Sequence, residues 1–313
     1  MLRWRLLLGT GLAILLVGLG WLDHVAAGPA PGIWLVPAVV FFAGMATREL
    51  LALLAAAGIR PCAWAVYAGN LLVLASPWGP LLHGWVVGRY GWQGACEAAT
   101  GDASGDWVLL ALAAAVILAL VSEMQRYEKP GGATANLGGA VLAIVYVGVL
   151  LSFAVRLRLA WGIGALASLL IVAKCGDSGA YFVGRLVGRH KMSPILSPKK
   201  TIEGAGGAIL FSLAASWATF EWLVPATAGA LQAGTACGQR GWGWIAFGLA
   251  VGIAGIVGDL AESLVKRDTG AKDSGGWLPG LGGVLDLMDS VFLAGPVVYG
   301  FWAIGLVGAS PLR

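Results

Sequence analysis

Apolar residues along this chain come in long unbroken runs separated by short polar stretches, without the alternation that marks strands. A helix that crosses a bilayer needs about 20 mostly apolar residues. Nine segments approach that length: 5–22, 33–52, 62–77, 107–123, 138–155, 159–175, 205–220, 243–264 and 290–308. They predict an all-α fold, a polytopic transmembrane bundle of eight or nine spans. Segment 62–77 is short and carries Asn70, so whether it spans fully is left open. Segment 5–22 follows Arg3 and Arg5, is rich in glycine and lacks a small-residue cleavage site; it reads as a retained first helix.

Composition sharpens the picture. Of 313 residues, 58% are apolar and 12% charged, where soluble domains carry about 25% charged residues. A soluble or disordered chain is excluded, and four cysteines exclude a disulfide scaffold. Fifteen tryptophans suit a protein with two water–lipid interfaces. The net charge of +4 matters less than where the charges lie. With the N-terminus inside, 15 Lys and Arg residues fall on the cytoplasmic side and 5 outside, the bias of an inner- or plasma-membrane protein of bacterial type. Loops 176–204 and 265–289 are separated by two spans and share one side, expected to be the cytoplasm. Cys96 and Cys237 fall in outer loops, where a disulfide between them is left open. Cys62 and Cys175 read as small apolar residues at helix ends, and His24, His83 and His190 are too scattered for a zinc site. Residues 1–158 are assigned to bundle and interface, and 159–313 to the region that holds the two charged loops and so any chemistry.

Ionisable groups at membrane depth are costly, and they usually line a polar cavity in which they act. GDLAESLVKR closes the apolar run that begins at 243, and helical offsets put Asp259, then Glu262 or Ser263, then Lys266 on one stripe. Side chains reaching the headgroups would explain Lys266 and Arg267, but not Asp259, about two turns deeper. DTGAKDSGGWLPGLGGVLDLMDS follows, placing Asp268, Lys272, Asp273, Asp286 and Asp289 among six glycines. Glycine lets backbone amides approach an anion, and Mg²⁺ takes one or two carboxylates together with phosphate oxygens. Helix capping by Asp289 and Ser290 would account for one of these acids and not for the group. The expectation is a metal–polyphosphate site. The loop CGDSGAYFVGRLVGRHKMSPILSPKKTIEG adds Asp177 and then Arg185, Arg189, Lys191, Lys199 and Lys200, with no acid until Glu203. Such a cluster suits a phosphate-bearing ligand, while Arg189 and Lys191 serve equally well as contacts to anionic lipid. Neither loop carries a Walker A or dinucleotide fingerprint.

SLVKRDTGAKDSGGWLPGLGGVLDLMDS at 263–290 resembles the signature of the integral-membrane phosphatidate cytidylyltransferases, or CDP-diacylglycerol synthases. Ser263, Lys266, Arg267, Lys272, Asp273, Pro279, Gly280, Gly282, Gly283, Asp286, Asp289 and Ser290 match it. GDLAES and DSGAYFVGRLVGRHKMSPILSPKKTIEGAGG look like the family's preceding blocks, so the likeness covers roughly 170–300. Upstream, only hydropathy and Arg48-Glu49 at a helix end agree. Two positions depart: Leu281 and Leu287 stand where the family pattern has His and Arg.

The resemblance implies transfer of the cytidylyl group of CTP to phosphatidic acid, giving CDP-diacylglycerol and pyrophosphate in phospholipid biosynthesis. It implies catalytic roles for Lys266, Arg267, Lys272 and Asp273. Substrate would be bound by Arg185, Ser197, Lys199, Lys200, Thr201, Ser263, Gly282 and Gly283. Asp259, Asp273, Asp286 and Asp289, with Asp177 in second rank, would hold one or two cations, Mg²⁺ first. The partners are CTP, phosphatidic acid and bilayer lipid, with no nucleic acid; a homodimer is the assembly considered. Phosphate attacking phosphate needs both charges shielded, and a phosphate nucleophile needs no strong base. That fits loops rich in Asp and Lys and poor in His. A CTP-dependent polyprenol-type kinase is the competing enzyme, disfavoured by the order of the SPKKT and KD…DxxD blocks. A transporter is the competing non-enzyme, disfavoured because the polar residues gather in the C-terminal half rather than in paired broken helices. Asp273→Asn is expected to remove most turnover while leaving the protein inserted, which an activity assay on membranes of matched protein content checks.

Overall fold

A computed structural model describes residues 2–26, 31–83, 104–227, 241–271, 274–275 and 282–307. The described residues form nine helices and one small hairpin. α1 is Leu2–Ala26, α2 Val36–Ala56, α3 Ala63–His83, α4 Ser104–Gln125 and α5 Ala133–Trp161. α6 is Ile163–Val187, after which β1 (Lys191–Ser193) and β2 (Ser197–Thr201) pair antiparallel. α7 (Ile202–Thr227), α8 (Gly243–Asp268) and α9 (Val284–Ala303) complete the fold. Eight helices, α2 to α9, are long and apolar enough to cross a membrane; the described apolar part of α1, Ile14–Ala26, is shorter. The all-α membrane bundle expected from the sequence is the fold observed.

Helices in lipid gain little from the hydrophobic effect on meeting one another, so small residues that allow close approach decide which of them touch. α6 and α7 meet through Gly179 and Gly207. A Cβ on Gly179 would lie 2.5 Å from the Phe211 side chain and 2.6 Å from the Gly207 carbonyl. A Cβ on Gly207 would lie 2.5 Å from the Val183 side chain. α8 and α9 meet at Gly258, where a Cβ would lie 2.5 Å from the Asp289 carbonyl oxygen. Phe247, Leu169, Leu285 and Phe292 fill the space between these helices, all fully buried, while Leu109, Leu110, Ile117 and Leu210 stay exposed as outer surface for lipid.

Three elements differ from the sequence reading. Segment 62–77 extends to His83 through a tighter turn around Pro77, which makes it long enough to cross. Its Asn70 is buried and donates to Thr47 Oγ1 at 2.7 Å, so the polar residue is partnered inside the bundle. The loop expected from 176 is helical to Val187, its glycines at 176 and 179 packed against α7 rather than ending the helix, and the hairpin follows. The last helix starts at Val284 rather than near 290, which puts Asp286 in its first turn and Asp289 in its second. Cys62 and Cys175 are free thiols; Cys96 and Cys237 lie outside the described residues.

One ion pair ties together the end of the bundle where α1 meets α5. Asp23 is fully buried, bonds Arg158 Nε, and accepts the backbone N–H groups of Gly32 and Trp34 at 3.2 Å each. Removing one partner of a buried pair leaves the other charge uncompensated, at a cost of about 3–5 kcal/mol. Arg158→Leu should therefore lower the thermal unfolding temperature in detergent markedly. Asp23→Asn added to it should recover part of the loss, and an unchanged melting curve would remove this pair from the stability account.

Candidate active site

The stripe on α8 is realised as drawn from helical spacing. Asp259, Glu262 and Lys266 share one face, and Ser263 is buried beside them. Because Gly258 lets α9 approach to backbone contact, Asp289 comes against this face. One oxygen each from Asp259, Glu262 and Asp289 lies within 4.8 Å of the other two. Glu262 is 1% exposed and Asp289 5%, and Glu262 Oε1 receives no hydrogen bond from a described residue. Three carboxylates this close, two of them buried, repel one another, and a cation between them would relieve that repulsion. Hard divalent cations take carboxylate oxygens, so the donor set fits Mg²⁺.

The other predicted ligands are held differently. Asp286 Oδ1 takes Lys266 Nζ, and Asp286 Oδ2 takes the Ser274 hydroxyl at 2.9 Å and the Gly283 N–H at 3.0 Å. Lys266 also reaches Glu262 at 3.1 Å, so it joins Asp286 to the three-carboxylate group without Asp286 entering it. Asp177 is bound to Lys174 Nζ at 2.7 Å and to the Ser290 hydroxyl at 2.8 Å. The Gly283 amide, expected to face an anion, is committed to Asp286, and at Gly282, with φ +87°, a Cβ would sit 2.6 Å from Asp286 Oδ2. Lys272 and Asp273 lie outside the described residues, as do Pro279, Gly280 and Leu281. Leu287, in place of the family's Arg, packs against the hydrophobic core.

The hairpin supplies the basic wall. Lys200 Nζ lies 2.7 Å from Asp259 Oδ2, and among the described residues it has no hydrogen bond beyond this ion pair. A cavity of about 540 Å³ opens between the hairpin and helices α6, α7 and α8. Arg185, Ser197, Lys199, Lys200 and Thr201 line it together with Asp177 and Asp259, while Ala173, Ala208, Val251 and Gly252 form an apolar part. Thr201 also caps α7, accepting the Gly204 N–H at 3.1 Å. Arg185 bonds the Tyr181 hydroxyl at 2.7 Å. Arg267 donates to the Leu196 carbonyl at 3.1 Å and so fastens the hairpin tip to α8. The two loops assigned to one side are thus joined by direct contacts, and the cavity is amphiphilic, with cations and carboxylates at one end and small apolar residues at the other.

A sequence profile described as the cytidylyltransferase family matches residues 5–304. The chain belongs to the cytidylyltransferase family. Among its relatives, the phosphatidate cytidylyltransferase of Synechocystis sp. is 33% identical over 215 residues, covering 58% of this chain and 68% of that one. That of Staphylococcus epidermidis is 32% identical over 202 residues, covering 62% and 71%. That of Brucella melitensis is 42% identical over 144 residues, covering 46% of this chain and about half, 48%, of its own length.

Three residues at this end of the bundle have a place in the structure that the sequence does not assign them. Glu262 was seen on the stripe but not named as a ligand; its offset of three from Asp259 was the available signal. Lys174 was counted only as a topological charge, yet it bridges Asp177 and Ser290 at 2.7 and 2.8 Å. Glu49 lies in the half given no chemical task and nevertheless reaches Ser274, Val284 and Leu285. If the three carboxylates form a cation site, Glu262→Gln should weaken Mn²⁺ binding by more than about tenfold, read by electron paramagnetic resonance of the free ion. Glu221→Gln, on the far side of α7, should leave the affinity unchanged. Equal affinity in both variants would remove Glu262 from the site.

Proposed function

We propose that the α8–α9 carboxylates and the basic hairpin together carry out cytidylyl transfer from CTP to phosphatidate, as the family assignment and the relatives' names support. The carrying observation is the 2.7 Å contact between Lys200 and Asp259, which makes the amphiphilic cavity and the three-carboxylate group one continuous site. In this reading the cavity takes the lipid. Arg185, Lys199 and Lys200 hold the phosphate of phosphatidate, and the apolar part lined by Ala173, Ala208 and Val251 accepts the start of its acyl region. Asp259, Glu262 and Asp289 would hold Mg²⁺. Bound there, a divalent cation would shield the CTP phosphates and draw charge off the pyrophosphate as it leaves.

The remaining work falls to the chain's own groups. A phosphatidate oxygen attacks the α-phosphorus of CTP, and the bond from that phosphorus to the bridging oxygen of pyrophosphate breaks. The nucleophile is already anionic, so no side chain has to remove a proton. Lys266 is held between Glu262 and Asp286 at the edge of the carboxylate group, and from there it meets the negative charge that grows on the leaving group. Lys200 screens Asp259 from the incoming lipid phosphate until substrate replaces that contact. Ser263, Lys272 and Asp273 keep the substrate and catalytic roles that the motif implies. The site faces the cytoplasm, where CTP is made, in line with the 15-to-5 distribution of Lys and Arg.

The test supplies purified protein with phosphatidic acid, Mg²⁺ and CTP labelled in parallel at the α or the γ phosphate. Label entering lipid from α-labelled CTP alone, with pyrophosphate released, is the expected result. Label entering a lipid alcohol from γ-labelled CTP would replace the reading with a kinase. Lys200→Ala should raise the KM for phosphatidate by at least about tenfold with a smaller change for CTP, since it removes a charge-assisted contact. The reverse pattern would move the lipid phosphate elsewhere.

A further inference from the structure

α2 sends one carboxylate into this end of the bundle. Glu49 is 5% exposed, and its two oxygens accept the backbone N–H groups of Val284 at 3.0 Å and Leu285 at 2.8 Å, contacts that span 235 and 236 residues. These are the first two amides of α9, which have no partner within their own helix. A helix ordinarily takes such a cap from its own N-cap side chain. The N-cap of α9 is Gly283, which has none. The carboxylate of a different helix fills that place, at the positive end of the helix dipole.

Glycines keep the space open. A Cβ on Gly283 would collide with the Glu49 carboxylate and with Ser274 Oγ, and a Cβ on Gly275 would lie 2.8 Å from Glu49 Oε1. The φ of Gly283 is −87°, open to any residue, so the glycine is required by the Glu49 and Ser274 side chains beside it and not by the backbone. Ser274 completes the arrangement, donating to Asp286 at 2.9 Å with Glu49 at 3.4 Å.

We propose that Glu49 is a positioning residue. By capping α9 from α2 it sets the rotation and axial height of α9, and so holds Asp289 against Asp259 and Glu262. A helix turns about 100° per residue, so a small slip of α9 would carry Asp289 off the α8 face. The inference rests on the assignment of Asp289 to the reacting centre. Glu49 touches no reacting atom, and its effect passes through the backbone of α9.

The experiment compares Glu49→Gln, Glu49→Ala and the double variant Glu49→Ala/Gly283→Ser in the full chain. Hydrogen exchange of residues 282–290 is read alongside steady-state kinetics. Glu49→Gln keeps the volume but replaces one of the two accepting oxygens with an NH₂ donor, and it removes the charge. It should speed exchange at Val284 and Leu285 and lower kcat by about tenfold or more, with the KM for phosphatidate changed less than twofold. In the double variant the introduced serine can cap α9 from within once the Ser274 hydroxyl rotates away from its Cβ, so exchange protection should return while kcat stays low, because the tie to α2 is still missing. Unchanged exchange in Glu49→Gln, faster exchange with unchanged kcat, or full recovery of kcat in the double variant would each overturn the proposal. Asp289→Asn serves as a separate control: full turnover there would mean that the site reading had failed, independently of Glu49.

Discussion

The structure depends on how closely α8 and α9 approach. At Gly258 the two helices are so near that one added carbon would press on the Asp289 carbonyl. No hydrophobic gain holds helices together within lipid, so this contact rests on small size and on polar groups that find partners across it. Asp289 can then share one space with Asp259 and Glu262, a concentration of negative charge that a membrane interior tolerates only with compensation. Lysines supply part of it. Lys266 spans Glu262 and Asp286, Lys200 meets Asp259, and Lys174 joins Asp177 to Ser290.

Each lysine therefore links two elements while balancing charge. Lys200 brings the hairpin to α8, Lys174 brings α6 to α9, and Lys266 binds α8 to the first turn of α9. The same contacts that make the acids tolerable also assemble the amphiphilic cavity beside them. An enzyme joining a nucleotide to a lipid needs a polar site that reaches the bilayer, and a cavity walled by Lys199 and Lys200 at one end and by Ala208 and Val251 at the other meets that need. Glycine at 176 and 252 keeps the helices around it near one another without filling it.

Much of this was legible from the chain itself, for physical reasons. Long apolar runs fix the helices because a bilayer leaves few alternatives for the backbone. Asp259 stood out because it lies deep in such a run, and the acids and lysines of 263–290 because they form a dense pattern matching a known signature. Contacts set by distance rather than spacing were not legible. Nothing near Glu49 marks it as the cap of a helix some 235 residues away, and Gly283, which makes room for it, reads on sequence grounds as an anion-binding glycine. Asp286 and Asp289 look equivalent three positions apart, yet the start of α9 at Val284 gives one to Lys266 and Ser274 and the other to the α8 acids. The hairpin was hidden because its basic residues, Lys191, Lys199 and Lys200, read equally well as an irregular loop.

The central claim is that the approach at Gly258 builds a cation centre from Asp259, Glu262 and Asp289. Anomalous scattering from crystals of the protein grown with Mn²⁺ tests it most directly. The account predicts a peak bounded by oxygens of those three residues. A peak on Asp286 or Asp177 with the three-carboxylate space empty, in protein that binds Mn²⁺ in solution, would contradict it.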